Sequence, residues 1–172
     1  VQVLSSNQLA GLTSVQVGGL TTAQAASLTT TQLSTLGSTQ ALGLKGTQLK
    51  ALGTTELRSL NTTAFEVLSA SAVTGLSSVQ VGALTTAQVT ALTTAQAAAL
   101  TGVQTVGLTT SQAAGLESGD LNKLTTSAFE AMAPAVAAKL SSTQVGALTT
   151  AQITALTTAQ AAALTATQAQ GI

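Results

Sequence analysis

The sequence predicts an all-α solenoid built from short capped helices, with one helix in each eight-residue repeat. Three observations predict this fold: a Leu every eight residues, a Gln four residues after most of these Leu residues, and a Ser or Thr three residues before that Gln. The residue after Gln is usually apolar and precedes the next Leu by three positions, which is a helical spacing. The consensus repeat, or octad, is Leu-Thr-Thr-x-Gln-apolar-x-Ala/Gly.

The Leu register continues without a slip along the chain. It extends from Leu4 to Leu164, Met132 is its single replacement, and Ile172 closes the series. A constant period of this kind is typical of repeat proteins, in which each unit contacts its neighbours. Gln is replaced in six octads, at Glu56, Ala64, Ala72, Asp120, Ala128 and Val136.

Capping residues place the start of each predicted helix. A Ser or Thr followed three residues later by Gln forms a capping box, in which each side chain bonds the backbone N–H of the other residue. Thr85 with Gln88 fits this pattern, as do Thr21 with Gln24 and Thr149 with Gln152. Pro134 falls at the first helical position, where its missing N–H costs nothing. Glu56 and Asp120 put carboxylates near the positive end of a helix.

Two folds are alternatives to a solenoid of short helices. In one continuous α-helix, an advance of eight residues leaves successive Leu residues about 80° apart, so no straight apolar stripe would form. A β-solenoid is the alternative fold, favoured by the Thr content and the even period. The Ala and Gln content, the three-residue spacing and Pro134 favour helices.

Stacking of neighbouring octads is expected to stabilise the helices, because isolated helices of this length are unstable in water. Antiparallel pairs of helices and a spiral of three or four octads per turn both satisfy the pattern. Small residues before the Leu, such as Gly43 and Gly107, are expected to let successive helices approach closely.

A longer period of 64 residues is superimposed on the octads. It divides a single array, 1–172, into superrepeats 13–76, 77–140 and a partial 141–172. All ten charges lie in two zones, 45–66 and 117–139, which also hold Phe65 and Phe129. These zones are a candidate self-association surface; the alternative is that Phe adapts the core where Ala replaces Gln. The candidate residues are Lys45, Lys50, Glu56, Arg58, Phe65, Glu66, Glu117, Asp120, Lys123, Phe129, Glu130 and Lys139.

The composition argues against an enzyme. Without His or Cys the usual general base, the catalytic triads and thiolate metal sites are missing, so we expect no cofactor and no metal. A net charge of zero disfavours nucleic acid, and no apolar run reaches the roughly 18 residues of a membrane span. Asn61-Thr62-Thr63 matches a glycosylation acceptor, but Asn61 also occupies the helix-cap register.

The Leu-Thr-Thr-Ala-Gln octads, such as Leu84 to Gln88, Leu92 to Gln96 and Leu148 to Gln152, resemble tandem repeats of very large bacterial secreted or cell-surface proteins of adhesin-like type. The resemblance covers the whole chain, which begins and stops in mid-pattern and is expected to be an excerpt. It implies an extracellular stalk, filament or matrix component. The expected partners are copies of the chain itself, and also a cell surface or matrix.

An alternative function is the binding of ice or carbohydrate. It would use rows of Thr at consecutive registers as a regular lattice of hydroxyl groups. The Thr pairs concerned are Thr85 and Thr86, Thr93 and Thr94, Thr149 and Thr150, and Thr157 and Thr158.

Overall fold

The computed structural model describes residues 4–172 and confirms the all-α solenoid, with short helices and no strand in this range. Each octad forms one helix of three to six residues. The α-helices are α1 Ser6–Ala10, α2 Ser14–Gly18, α3 Thr22–Ala26, α4 Thr30–Ser34, α5 Ser38–Ala41, α6 Gly46–Ala51, α7 Thr54–Ser59, α8 Thr62–Glu66, α9 Ala70–Val73, α10 Ser78–Ala83, α11 Thr86–Thr90, α12 Thr94–Ala99, α13 Gly102–Thr105, α14 Ser118–Leu121, α15 Thr126–Glu130, α16 Pro134–Ala137, α17 Ser142–Gly146, α18 Thr150–Thr154, α19 Thr158–Ala163 and α20 Ala166–Ala169. A 3₁₀ helix, Ala113–Gly115, lies between α13 and α14.

The predicted capping boxes are confirmed. In α11, the Thr85 hydroxyl accepts from the Gln88 N–H at 3.1 Å, and the Gln88 Oε1 accepts from the Thr85 N–H at 3.0 Å. The same reciprocal pair starts α3 and α18. Pro134 is the first residue of α16, Glu56 and Asp120 lie in the first turn of their helices, and Asn61 caps α8.

Helices end and the chain turns without any residue at positive φ in the described range. At the end of α12, the Leu100 N–H donates to the Ala97 carbonyl at 3.1 Å. Leu100 and Thr101 then both adopt extended backbone conformations before α13 begins. Two extended residues therefore redirect the chain between these octads, and each helix starts in a new direction.

The helices wind into a spiral of between three and four octads per turn. Each helix packs mainly on the helix three octads further along, as α3 does on α6 and α9 on α12. Hydrogen bonds between turns connect residues 28 and 31 positions apart, as from Gln48 to Leu20 and Val17. The structure thus selects the spiral over antiparallel helix pairs.

A single apolar core follows the coil. Its buried members extend from Leu9 to Val145 and include the repeated Leu, the residue after Gln, and both Phe side chains. Towards residue 172, Leu148, Leu156 and Leu164 are only half-buried, because no later turn among residues 4–172 packs on them. Stability therefore depends on the stacking of turns, as the shortness of the helices requires.

Close approach occurs between turns, and not between successive helices as the sequence suggested. A Cβ on Gly82 would lie 2.5 Å from the carbonyl oxygen of Gly107, on the next turn. Gly18 and Gly43 make the equivalent contact 64 residues earlier. The small residues are therefore required where the backbones of adjacent turns touch.

Candidate association surface

Gln side chains connect the turns in addition to capping the helices. The Oε1 of Gln88 accepts from the Thr85 N–H, while its Nε2 donates to the carbonyls of Leu57 and Leu60, both at 2.9 Å. The side chain is 1% exposed. Because every polar atom of the amide has a partner, burial of this polar group is compensated.

The same bonds recur along the coil and form a ladder of Gln amides. Its donors are Gln32, Gln40, Gln48, Gln80, Gln88, Gln96, Gln104, Gln112, Gln144, Gln152, Gln160 and Gln168. Sequence reasoning assigned Gln to capping alone and missed this role. The missed signal is the preference for Gln over Glu, because Glu serves a capping box equally well but cannot donate when ionised.

The Gln ladder is interrupted once in each of the two complete superrepeats, over three consecutive octads that make up most of one turn. Gln is absent at 56, 64 and 72, and again at 120, 128 and 136. In the first gap Asn61 substitutes in part, because its Nδ2 donates to the carbonyls of Ser34 and Leu36 at 3.1 and 2.9 Å. The Asn61 Nδ2 is also the atom to which an N-linked glycan would be attached, and these two bonds engage it. The charged zones coincide with the interruptions.

Three of the twelve candidate association residues are buried, and the prediction that they contribute to a surface is wrong. Phe65 and Phe129 are at most 1% exposed and belong to the core, in agreement with the alternative interpretation that Phe adapts the core. Asp120 is 4% exposed. Glu56 is half-buried, and the remaining eight are exposed: Lys45, Lys50, Arg58, Glu66, Glu117, Lys123, Glu130 and Lys139.

Open depressions mark the surface of the described chain. One of about 610 Å³ is lined by residues that include Glu117, Lys139 and Gln144. Within residues 4–172 no cluster of Asp and Glu is arranged to hold a metal ion. No helix in that range has the length and apolar character needed to cross a bilayer.

Asp120 is a buried carboxyl at a position where most octads have Gln. Its Oδ2 has no hydrogen-bond partner within the described chain. Burial raises the pKa of this carboxyl above its ordinary value of 3.8, and the nearby Glu117 carboxylate raises it further. A Gln at position 120 would donate to the carbonyls of Val89 and Leu92 if it followed the 31- and 28-residue spacing of Gln88. An ionised carboxylate cannot donate to them.

Substitution of Asp120 by Gln is expected to stabilise the coil by about 1–2 kcal/mol at neutral pH, because an amide can extend the Gln ladder.

The raised pKa of Asp120 means that the folded state of the parent protein binds the proton more tightly than the unfolded state. The stabilisation by protonated Asp120 is therefore complete below pH 3.8 and is lost as the pH rises through the folded-state pKa. Urea unfolding at several pH values would measure both effects.

The control for this substitution is Glu130→Gln, which removes the same charge from an exposed side chain. Its stability should stay within about 0.5 kcal/mol of the parent. An Asp120→Gln protein that is less stable than the parent at neutral pH would contradict the assignment of position 120 to the ladder.

The Thr pairs do not form a flat lattice. Thr85, Thr93, Thr149 and Thr157 each accept a hydrogen bond as helix caps. An advance of one octad covers only a quarter to a third of a turn, so Thr86 and Thr94 lie on different sides of the coil. This arrangement does not favour a planar ligand such as an ice surface.

The two ends of the coil present different faces. At the first turn, the exposed Gln8, Gln16 and Gln24 still cap their helices, but their Nε2 atoms have no acceptor among residues 4–172. At the last turn, no side chain of the described range donates to the carbonyls of Leu148, Ile153, Leu156, Ala161 and Leu164.

Comparisons of the chain with protein families, curated proteins and solved structures find no match.

Proposed function

We propose that this chain is a structural repeat protein that forms or extends an extracellular filament, stalk or matrix by self-association. The observation that supports the proposal most directly is the continuous coil, in which the apolar core extends from turn to turn and the Gln ladder recurs on both sides of its two gaps. Such a solenoid lengthens by adding octads, without any new kind of contact.

The surface chemistry supports a structural role in preference to catalysis. The outside of the coil consists mainly of Thr, Ser and Ala, and ten charges sum to zero over 172 residues. A neutral surface lacks the mutual repulsion that keeps highly charged proteins apart. An extracellular location is part of the proposal, supported by the resemblance to repeats of bacterial surface proteins.

Electron microscopy of the purified protein tests the proposed function. We expect regular filaments, because the repeated contacts have no built-in stopping point. Monodisperse particles at every concentration would contradict self-association.

Immunogold labelling of intact source cells tests the extracellular location, for which we expect label on the outer surface.

A further inference from the structure

Side chains of the Gln ladder bond adjacent turns of the coil together, and its two gaps lack most of these bonds. Gap 1 comprises positions 56, 64 and 72, and gap 2 comprises positions 120, 128 and 136. In an uninterrupted part of the ladder, Gln88, Gln96 and Gln104 each donate at least two hydrogen bonds to carbonyls of the preceding turn. Three consecutive octads of the ladder thus contribute at least six side-chain bonds between turns.

At gap 1, one residue supplies the side-chain bonds across the junction between turns. The Asn61 amide donates to the carbonyls of Ser34 and Leu36. No other side chain of residues 53–76 donates to the preceding turn. Glu56 cannot donate when it is ionised, and the two Ala residues of the gap have no polar side-chain atom. Two bonds therefore replace at least six.

Gap 2 has fewer bonds between turns than gap 1. No side chain of residues 117–140 donates to the preceding turn. The Thr105 hydroxyl crosses the junction from the other side and donates to the Ala128 carbonyl at 2.6 Å. Asp120 is buried, and its Oδ2 has no hydrogen-bond partner within the described chain. One bond therefore replaces at least six, and a buried carboxyl is left partly unpaired.

Aromatic packing offsets only part of the missing bonds. Phe65 at gap 1 and Phe129 at gap 2 are buried in the core, where most octads have Val, Leu or Ala. Burying Phe in place of Val favours folding by about tenfold, whereas each hydrogen bond contributes about fivefold. The loss of four or more bonds therefore outweighs the gain from one ring. Because each gap has one Phe, the ring does not change their order.

We propose that the two gaps are built-in opening sites of the coil, at which adjacent turns separate before the rest of the coil unfolds, and that gap 2 opens before gap 1. The stability of a repeat protein is approximately a sum of terms for the repeats and for the interfaces between neighbours, so the weakest interface opens first. A coil under tension would then lengthen first at one place in each complete superrepeat. This inference concerns a single chain and goes beyond the proposed self-association.

Single cysteines can report the opening, because the chain has no Cys of its own. Three substitutions share the register directly after the Gln position, at side chains that are at most 1% exposed: Val73→Cys at gap 1, Ala137→Cys at gap 2 and Ala113→Cys in the ladder. A buried thiol reacts with a thiol reagent in proportion to the population of open states. Labelling at 73 should be at least about tenfold faster than at 113, and labelling at 137 about fivefold faster again.

A restoring variant tests whether the missing bonds cause the opening. Asp120→Gln, added to Ala137→Cys, should slow the labelling about fivefold or more, because an amide can donate across the gap. The matched control is Glu130→Gln, which removes the same charge from an exposed side chain and should leave the labelling rate unchanged. If opening spreads to position 137 from another part of the coil, Asp120→Gln will have no effect, and the proposal is then wrong.

Hydrogen exchange of the unsubstituted protein gives the same ranking without any variant. Amides of residues 117–140 should lose protection first, those of 53–76 next, and those of 77–100 last. This measurement also decides the matter if a cysteine variant fails to fold, as judged by circular dichroism.

The outcomes separate this inference from the proposed function. Equal labelling at all three positions would show that the coil opens as one unit and would overturn the inference, even if the protein forms filaments. The slowest labelling at 73 or 137 would mean that Phe packing outweighs the missing bonds, and faster labelling at 73 than at 137 would overturn the order of opening. A protein that stays monomeric but shows the expected ranking would contradict self-association alone.

Discussion

Substitution of Gln96 by Glu is expected to destabilise the coil by about 3–5 kcal/mol at neutral pH. Gln96 is 1% exposed, and its Nε2 donates to the carbonyls of Phe65 and Leu68 at 3.1 and 2.7 Å. A carboxylate would keep the Oε1 bond to the Thr93 N–H but would bury a negative charge against two carbonyl oxygens. Urea unfolding followed by the helical circular dichroism signal measures the loss.

The first turn provides a matched control for this prediction. Gln16 makes the same capping box with Thr13, at 2.8 Å from the Thr13 N–H, but it is exposed, and its Nε2 donates to no acceptor among residues 4–172. Gln16→Glu should therefore change the stability by less than about 0.5 kcal/mol. Equal effects at the two positions would show that capping alone accounts for the Gln residues and that the bonds between turns contribute nothing.

Acid provides a second check on the ladder. In the Gln96→Glu variant, protonation of the new carboxyl removes its charge and lets it donate one hydrogen bond, so lowering the pH should restore part of the lost stability. The folded state of this variant should bind the proton more tightly than the unfolded state, because the buried carboxylate is destabilised. Its stability relative to the parent should therefore rise as the pH falls.

Local structure was predictable from the sequence because its determinants lie within one octad. Thr85 and Gln88 are three residues apart, and Pro134 marks a helix start by its own geometry. The bonds from Gln88 to Leu57 and Leu60 span about a whole turn of the coil. The sequence pattern does not reveal the number of octads per turn, so these partners could not be identified from it.

The candidate surface was harder to predict than the fold. Charge and aromatic content marked both zones, yet burial separated Phe65 and Asp120 from exposed neighbours such as Glu66. Whether a side chain faces the core or water depends on its register in the octad. Phe65 follows position 64, which is the Gln register, so it takes the apolar core position. Register was therefore a better guide than residue type.

Replacement of Gly107 by Ala is expected to destabilise the coil by about 1–3 kcal/mol, because a new methyl group would collide with the backbone of the preceding turn. A Cβ on Gly107 would lie 2.6 Å from the carbonyl carbon of Ser78. Gly107 has no positive φ, so the cost arises from packing and not from backbone strain. Urea unfolding would measure the loss, and hydrogen exchange should show the largest loss of protection in the turns on either side.

Gly119 is the control for this prediction, because a Cβ there would meet no atom within 4 Å and the residue lies inside α14. Gly119→Ala should stabilise the protein by about 0.5–1 kcal/mol, the usual gain for Ala over Gly in a helix.

Gly43 makes the contact equivalent to that of Gly107, 64 residues earlier. Because distant sites act independently, the Gly43→Ala and Gly107→Ala losses should add in the double variant. A neutral Gly107→Ala substitution would mean that adjacent turns separate easily, and would contradict a coil whose turns are held at backbone contact.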